Sequence, residues 1–130
     1  MESLFKAIYA KYAADAPLVA ALTGGMRLAK VADKTTPPYA VYDMVSNVPE
    51  WTFDGTTIER ARIQFSIVAA DLETLNDCAK KLMACFDMGV LDFPDDDYAT
   101  VGLIREGCNQ IVTEDFYVYT IDYRMMICTI

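Results

Sequence analysis

The residues from Thr57 to Val68 alternate between apolar and polar side chains in the clearest pattern of the chain. Ala61, Ile63, Phe65 and Ile67 would point to one side, and the polar set to the other: Arg60, Arg62, Gln64 and Ser66. A period of two is typical of a strand with one buried and one open face. The fold must therefore cover one face of a sheet with another layer.

A second alternation predicts a long antiparallel hairpin near the end of the chain. One strand runs over Ala99 to Glu106 and, past a bulge at Gly107, through Val112; the other runs from Phe116 to about Cys128. The turn between them falls at Glu114-Asp115. The second strand would bury one side and expose the other, and the exposed side carries Asp122 and Arg124.

Spacings of three and four residues predict helices. The first, Glu2 to Ala14, has an apolar stripe made of Leu4, Phe5, Ile8, Tyr9 and Tyr12. Pro17 opens a short second helix, Leu18 to Leu22. A third helix begins after the N-cap Asp71 and extends to Met88, where Gly89 stops it. Strands are predicted at Met26 to Val31 and Tyr39 to Val45.

These elements predict an α+β fold in which an antiparallel or mixed sheet of four or five strands carries two or three helices on one face. The 130 residues suit a single domain, residues 1–130, because neither a linker nor an internal repeat divides them.

Catalytic chemistry has little support in the sequence. The chain contains no histidine, which removes the commonest general base and metal ligand. The four cysteines lack C-x-x-C spacing, so we interpret them as structural thiols, with a disulfide or a metal site as the alternative. We therefore expect no enzyme activity, no cofactor and no catalytic or metal-binding residue.

Charge restricts the partners of the chain. The net charge of -8 disfavours binding to nucleic acid or to an anionic membrane. The aspartates at Asp92 and Asp95 to Asp97 are interpreted as a solvated acidic loop, with calcium binding as the alternative. Protein partners are expected instead.

Two groups of residues are candidates for a protein interface. The first comprises Arg60, Arg62, Gln64, Asp122 and Arg124, which would share the open face of the sheet. These side chains are expected to form solvated salt bridges across strands, or alternatively to line a subunit contact or the lumen of a ring.

The second group is aromatic. Trp51 and Phe53 lie within Pro49 to Gly55, between turn-forming residues. Either both rings cap the edge of the core, or they anchor an interface. The sequence leaves both alternatives open.

An ordered set of segments resembles the tail completion, or tail terminator, family of tailed bacteriophages. The segments are Pro37-Pro38-Tyr39-Ala40-Val41-Tyr42, Thr52-Phe53-Asp54-Gly55 and Ala61-Arg62-Ile63-Gln64-Phe65-Ser66-Ile67, followed by Asp71 with its helix and by the hairpin from Val101 to Tyr123. The resemblance spans nearly the whole chain and places Asp54 in an acidic-glycine hairpin.

The resemblance implies a virion protein of the tail or neck, assembled in the host cytoplasm. It implies a ring, commonly a hexamer, that caps the tail tube, stops polymerisation of the tube protein and docks the head-tail connector. DNA would pass through without specific binding, and no membrane is involved. The alternatives are a small acidic inhibitor or DNA mimic, and a ligand-binding module or enzyme on the same kind of scaffold.

Overall fold

The computed structural model describes residues 2–29, 35–93 and 98–129. It contains eight elements in the described part: α1 Glu2–Ala14, α2 Ala16–Ala21, β1 Met26–Leu28, β2 Tyr39–Trp51, β3 Thr57–Ala69, α3 Leu72–Phe86, β4 Tyr98–Val112 and β5 Tyr117–Thr129. The predicted α+β fold is confirmed. Val31 and the aspartates Asp95 to Asp97 lie outside the described residues, so the first strand is seen only to Leu28.

The strands form one mixed sheet of five in the order β1-β2-β3-β5-β4. Strand β1 pairs with β2 in parallel, whereas every other pairing is antiparallel. Two long hairpins, β2–β3 and β4–β5, therefore form the body of the sheet. They are joined through β3 and β5, where Ile63 lies opposite Tyr123.

The core lies between the sheet and the helices. Ala61, Ile63, Phe65 and Ile67 of β3 are buried, and so are alternate residues of β5. The ring of Phe65 packs at a tilt against Phe86 of α3, with 4.8 Å between ring centroids, and meets Tyr123 edge-on at 5.7 Å. The intervening residues of β3, such as Arg60 and Arg62, are exposed, so the helices pack on one face as predicted.

The helix ends differ in detail from the sequence prediction. Helix α2 begins at Ala16, before Pro17, because Asp15 caps it by accepting from the amide of Leu18 at 3.0 Å. Helix α3 has the predicted N-cap: Asp71 accepts from the amide of Thr74 at 2.8 Å. The predicted stop at Gly89 is wrong, since the left-handed residue after α3 is Met88, with φ of 53°.

Three register shifts shape the long hairpins. One lies between Met44 and Ser46 of β2 and leaves Val45 without a partner in β3. The others lie on β4 and leave Val101 and Glu106 unpaired, the second beside the predicted bulge glycine Gly107. Strand β2 continues past Val45 to Trp51, six residues beyond the predicted end.

No helix in the described part of the chain has both the length and the apolar character needed to span a membrane.

Candidate protein-protein interfaces

The helix-free face of the sheet brings one predicted group of polar residues together. Gln64 of β3 lies opposite Asp122 of β5 and donates from Nε2 to its Oδ1 at 3.1 Å. Arg62 approaches the other oxygen of the same carboxylate, with Nη2 to Oδ2 at 3.3 Å. Asp122 therefore joins two side chains of the neighbouring strand, as the alternation of the sequence predicted.

The remaining arginines of this face pair with residues that the sequence did not single out. Arg60 contacts Glu50 of β2 at 2.8 Å, and Arg124 contacts Glu106 of β4 at 2.6 Å. The hydrogen bond from Arg124 lowers the pKa of Glu106 below its ordinary value. Since each arginine has a carboxylate neighbour, this part of the surface is close to neutral.

The sequence failed to identify Glu50 and Glu106 as partners of these arginines for two different reasons. Glu50 belongs to the part of β2 that was not predicted to be a strand, so its position opposite Ile58 could not be inferred. Glu106 occupies a bulge, which turns an extra side chain toward Arg124. A shallow depression of about 240 Å³ lies among these groups, and its lining consists of Ser46, Val48, Arg60, Arg62, Glu106 and Arg124.

The turn between β2 and β3 exposes both aromatic residues of the second group. The side chain of Trp51 is 74% exposed, and Phe53 is fully exposed. Trp51 is the last residue of β2, where it pairs with Thr57, and Phe53 lies in the turn itself. The interpretation in which both rings cap the core is therefore wrong for a single copy of this chain.

Asp54 holds the turn in one conformation. Its Oδ1 accepts from the hydroxyl of Thr52, from the amide of Thr56 at 3.1 Å and from the hydroxyl of Thr56 at 2.8 Å. The hydrogen bond from Thr52, followed by those from Thr56, lowers the pKa of Asp54 to about 2. Gly55 completes the turn with a φ of 86°, a conformation that glycine adopts without strain. We call residues 51–56 the hairpin tip.

A groove between the first helix and the edge of the sheet was not predicted. It has a volume of about 390 Å³ and is lined by Glu2, Phe5, Lys6, Tyr9, Ala10, Leu28 and Tyr42. Tyr9 was assigned to the buried stripe of α1, but it is 50% exposed, and Leu28 of β1 is 42% exposed. The sheet ends at β1, so α1 overhangs the edge and its outer residues remain uncovered. We call this cavity the α1–β1 groove.

Two of the four cysteines, Cys78 and Cys85, fit the interpretation as buried structural thiols, whereas Cys108 is exposed and Cys128 is partly buried. All four are free thiols. Cys78 and Cys85 of α3 are buried, and their sulfurs donate to the carbonyl oxygens of Ala21 at 3.7 Å and Lys11 at 3.8 Å. Burial is the main cause that raises the pKa of Cys85 to about 12. A thiol with so high a pKa is a poor nucleophile at neutral pH.

Within residues 2–29, 35–93 and 98–129, the side chains of Cys, Asp and Glu form no group of three or more that could hold a metal ion.

Among known proteins, this chain is similar in fold to a solved structure but not in sequence to a family or a curated protein. No protein family model matches the sequence, and no curated protein matches it. The fold is similar to a chain in the solved structure of the virion of the native gene transfer agent (GTA) particle, with a TM-score of 0.71 and 17% sequence identity. The superposition covers 94% of this chain and 92% of that chain. The likeness therefore extends over nearly the whole of both chains.

Proposed function

We propose that this chain is a structural virion protein of a tailed phage or phage-like particle. In this proposal it forms a ring on the end of the tail tube, stops polymerisation of the tube protein and provides the surface to which the head-tail connector docks. The observation that carries the proposal is the fold likeness to a chain of the GTA virion, which covers both chains almost completely. The ordered segments around Tyr39, Asp54 and Phe65 support the same assignment.

The exposed groups of the protein support a role in assembly. Trp51 and Phe53 offer large apolar surfaces to water, and aromatic side chains of this kind are enriched at protein interfaces. The α1–β1 groove is a second apolar surface on the same chain. A protein whose function is to join other proteins needs several such surfaces.

Passage of DNA through the ring is compatible with the charges. The chain carries a net charge of -8. The arginines of the open face would attract phosphates if they were isolated, but Glu50, Asp122 and Glu106 neutralise them locally. A ring made of such copies repels DNA and does not retain it. The same local neutralisation disfavours a DNA mimic, which would need an uninterrupted acidic surface.

A catalytic role has less support. The sequence lacks histidine, and the buried thiol of Cys85 has a raised pKa. We therefore propose that the protein works through binding alone, as part of the virion tail or neck.

The test of this proposal is the mass of the protein in solution, measured by light scattering after size exclusion over a wide range of concentration. We expect a species near six chains at high concentration, and negative-stain electron microscopy should show closed particles with a central opening. Open filaments, or a monomer at every concentration and salt level, would contradict the proposed ring.

A further inference from the structure

We infer that the β2–β3 hairpin binds an arginine side chain of a neighbouring protein, held by the carboxylate of Glu59, the amide oxygen of Asn47 and the ring of Trp51. The inference rests on the proposed function and deepens it, because it names the chemistry by which this chain would hold another virion protein. Three observations carry it: two oxygens without a donor, a carboxylate without a counter-charge and an exposed indole on the same face.

The register of the hairpin places these three side chains side by side. Glu59 of β3 lies opposite Pro49 of β2. Asn47 and Trp51 are the second residues before and after Pro49 on the same strand. Directly paired residues and alternate residues of a strand point to one face of a sheet, so the three side chains share a face. We call Asn47, Trp51 and Glu59 the acceptor patch.

Two oxygens of the acceptor patch lack a hydrogen-bond donor. Asn47 donates from Nδ2 to Oε1 of Glu59 at 3.3 Å, whereas Oδ1 of Asn47 and Oε2 of Glu59 are buried without a partner among the described residues. A buried acceptor without a donor costs free energy, and native proteins satisfy nearly all such groups. A donor supplied by another protein would remove this cost.

The carboxylate of Glu59 also lacks a counter-charge. It forms no ion pair within residues 2–29, 35–93 and 98–129. The adjacent Arg60 belongs to the opposite face of the strand and contacts Glu50 at 2.8 Å. The patch therefore calls for a cationic donor.

A guanidinium group matches all three members of the acceptor patch. Its planar fork of N–H donors can reach a carboxylate oxygen and an amide oxygen together. Its flat cationic face stacks on an aromatic ring, and tryptophan is the best ring for this contact. A lysine ammonium group provides the charge but neither the fork nor the flat face.

The side chain at position 59 suits binding better than it suits the stability of one copy. A glutamine there could accept from Nδ2 of Asn47 and also donate to its Oδ1, whereas a carboxylate can only accept. The chain instead carries a glutamate, which leaves its own neighbour unsatisfied. Side chains that lower stability in this way are typical of functional sites.

A partner can reach the acceptor patch. Trp51 is largely exposed, and Asn47 and Glu59 are partly exposed although the two oxygens themselves are covered. The hydrogen bond between Asn47 and Glu59, at 3.3 Å, is longer than the usual range for such bonds. A guanidinium can therefore replace it after small rotations of both side chains.

The charges of this chain favour a different protein over a second copy as the source of the arginine. Four of its five arginines already contact carboxylates of the same copy, namely Arg60, Arg62, Arg105 and Arg124. A second copy would also bring a net charge of -8 toward the carboxylate of Glu59. The partner is a protein with an exposed, unpaired arginine.

The inference is tested by NMR titration with N-acetyl-arginine amide and with the corresponding citrulline compound, which has a similar shape but no charge. The arginine compound should shift the side-chain amide signals of Asn47 and the indole signal of Trp51, with a dissociation constant on the order of millimolar. The citrulline compound should bind at least about tenfold more weakly, because it cannot pair with the carboxylate.

Substitutions assign the binding to the acceptor patch. Glu59→Gln should weaken binding of the arginine compound about tenfold or more, and Trp51→Ala should weaken it about threefold. Glu114→Gln is the matched control, since Glu114 is an exposed carboxylate in the turn of the other long hairpin, and it should bind like the wild type. Thermal midpoints show whether each variant is folded. Equal shifts with both compounds, or wild-type binding by Glu59→Gln, would overturn the arginine site.

The assembly of the protein separates this inference from the proposed function. Glu59→Gln should form the same rings as the wild type but bind the purified tail tube protein or head-tail connector at least about tenfold more weakly. Unchanged binding to both proteins, or loss of the rings in this variant, would overturn the assignment to a different protein. A wild-type protein that binds the arginine compound but never assembles would overturn the ring and leave the site intact.

Discussion

The hydroxyl of Tyr123 donates a hydrogen bond of 2.5 Å to Oδ1 of Asp87, which ties the buried strand β5 to the end of helix α3. Burial, followed by this hydrogen bond, raises the pKa of Tyr123 well above its ordinary value. The other oxygen of Asp87 faces Arg105 of β4 at 3.5 Å. One carboxylate therefore links the helix layer to two strands of the sheet.

Tyr123→Phe should destabilise the fold by about 1–2 kcal/mol, because it removes a hydrogen bond to a charged group without leaving a large cavity. Urea unfolding measures this difference. Tyr9→Phe is the control, since the half-exposed Tyr9 has its side chain in contact with water and should unfold like the wild type. Equal loss in both variants would refute a specific role for the bond to Asp87.

The hairpin tip should lose its order in acid. The folded pKa of Asp54 is about 2, below the ordinary value of 3.8, so its stabilising effect is fully present above about pH 4 and is lost as the pH falls through about 2. An NMR titration of the Asp54 carboxyl group should therefore have a midpoint near 2. The signals of Thr52 and Thr56 should shift with the same midpoint, and Asp54→Asn should abolish that transition. A midpoint near 4 would contradict the hydrogen-bonded turn.

The contact between Arg62 and Asp122 should contribute little to the stability of one copy. Both side chains retain contact with water, so a double-mutant cycle with Arg62→Ala and Asp122→Ala should give a coupling of less than about 1 kcal/mol. The measurement is urea unfolding at low and high salt, and the coupling should decrease with salt. A coupling of several kcal/mol would show that this face is more tightly organised than its exposure indicates.

Met88→Gly should stabilise the fold by about 1 kcal/mol, since a residue with a Cβ atom is strained in the left-handed conformation that Met88 adopts. Its side chain is largely exposed, so the substitution removes little packing. The neighbouring change Gly89→Ala is the control: its added Cβ atom would lie 2.8 Å from Cε of Lys11, the far end of a flexible side chain that can move aside, so the effect should be small. Thermal unfolding of both variants checks the pair, and destabilisation by Met88→Gly would count against the strain.

Glu59→Gln should stabilise the protein by about 1 kcal/mol. Asn47 donates from Nδ2 to Oε1 of Glu59 at 3.3 Å, while Oδ1 of Asn47 and Oε2 of Glu59 are buried without a hydrogen-bond partner among the described residues. The amide nitrogen of glutamine can donate to Oδ1 of Asn47, which a carboxylate cannot do. Chemical unfolding measures the gain, and Glu59→Ala, which leaves Asn47 unsatisfied, should be less stable than Glu59→Gln.

The sequence predicts best the elements whose pattern is set by burial alone. Strands β3 and β5 are identified by the alternation around Phe65 and Tyr123, and helix α3 by the helical spacing after Asp71. Each of these elements buries one regular face against the core. The Arg62, Gln64 and Asp122 group follows directly from that alternation. The sequence pattern predicts this group because the relative positions of its members depend on a single strand pairing, that of β3 with β5.

Features that depend on distant pairing were missed. Strand β2 continues through Pro49 because β3 offers it a partner on that side, and the pairing register shifts by one residue at Val45. The positions of Glu50 and Glu106 depend on such irregularities. The α1–β1 groove arises because helix α1 extends past β1, the edge strand of the sheet. The apolar stripe of α1 includes Tyr9, but the stripe alone does not show that no other element packs over this residue.

The two bulges of β4 have a consequence for how the protein avoids uncontrolled association. Strand β4 is fifteen residues long and forms an edge of the sheet, where unpaired amide and carbonyl groups could recruit a foreign strand. At Val101 and Glu106 these groups are displaced from the regular spacing, so a straight strand cannot pair along the whole edge. The β4 edge is thereby protected against the strand-on-strand stacking that leads to fibrils.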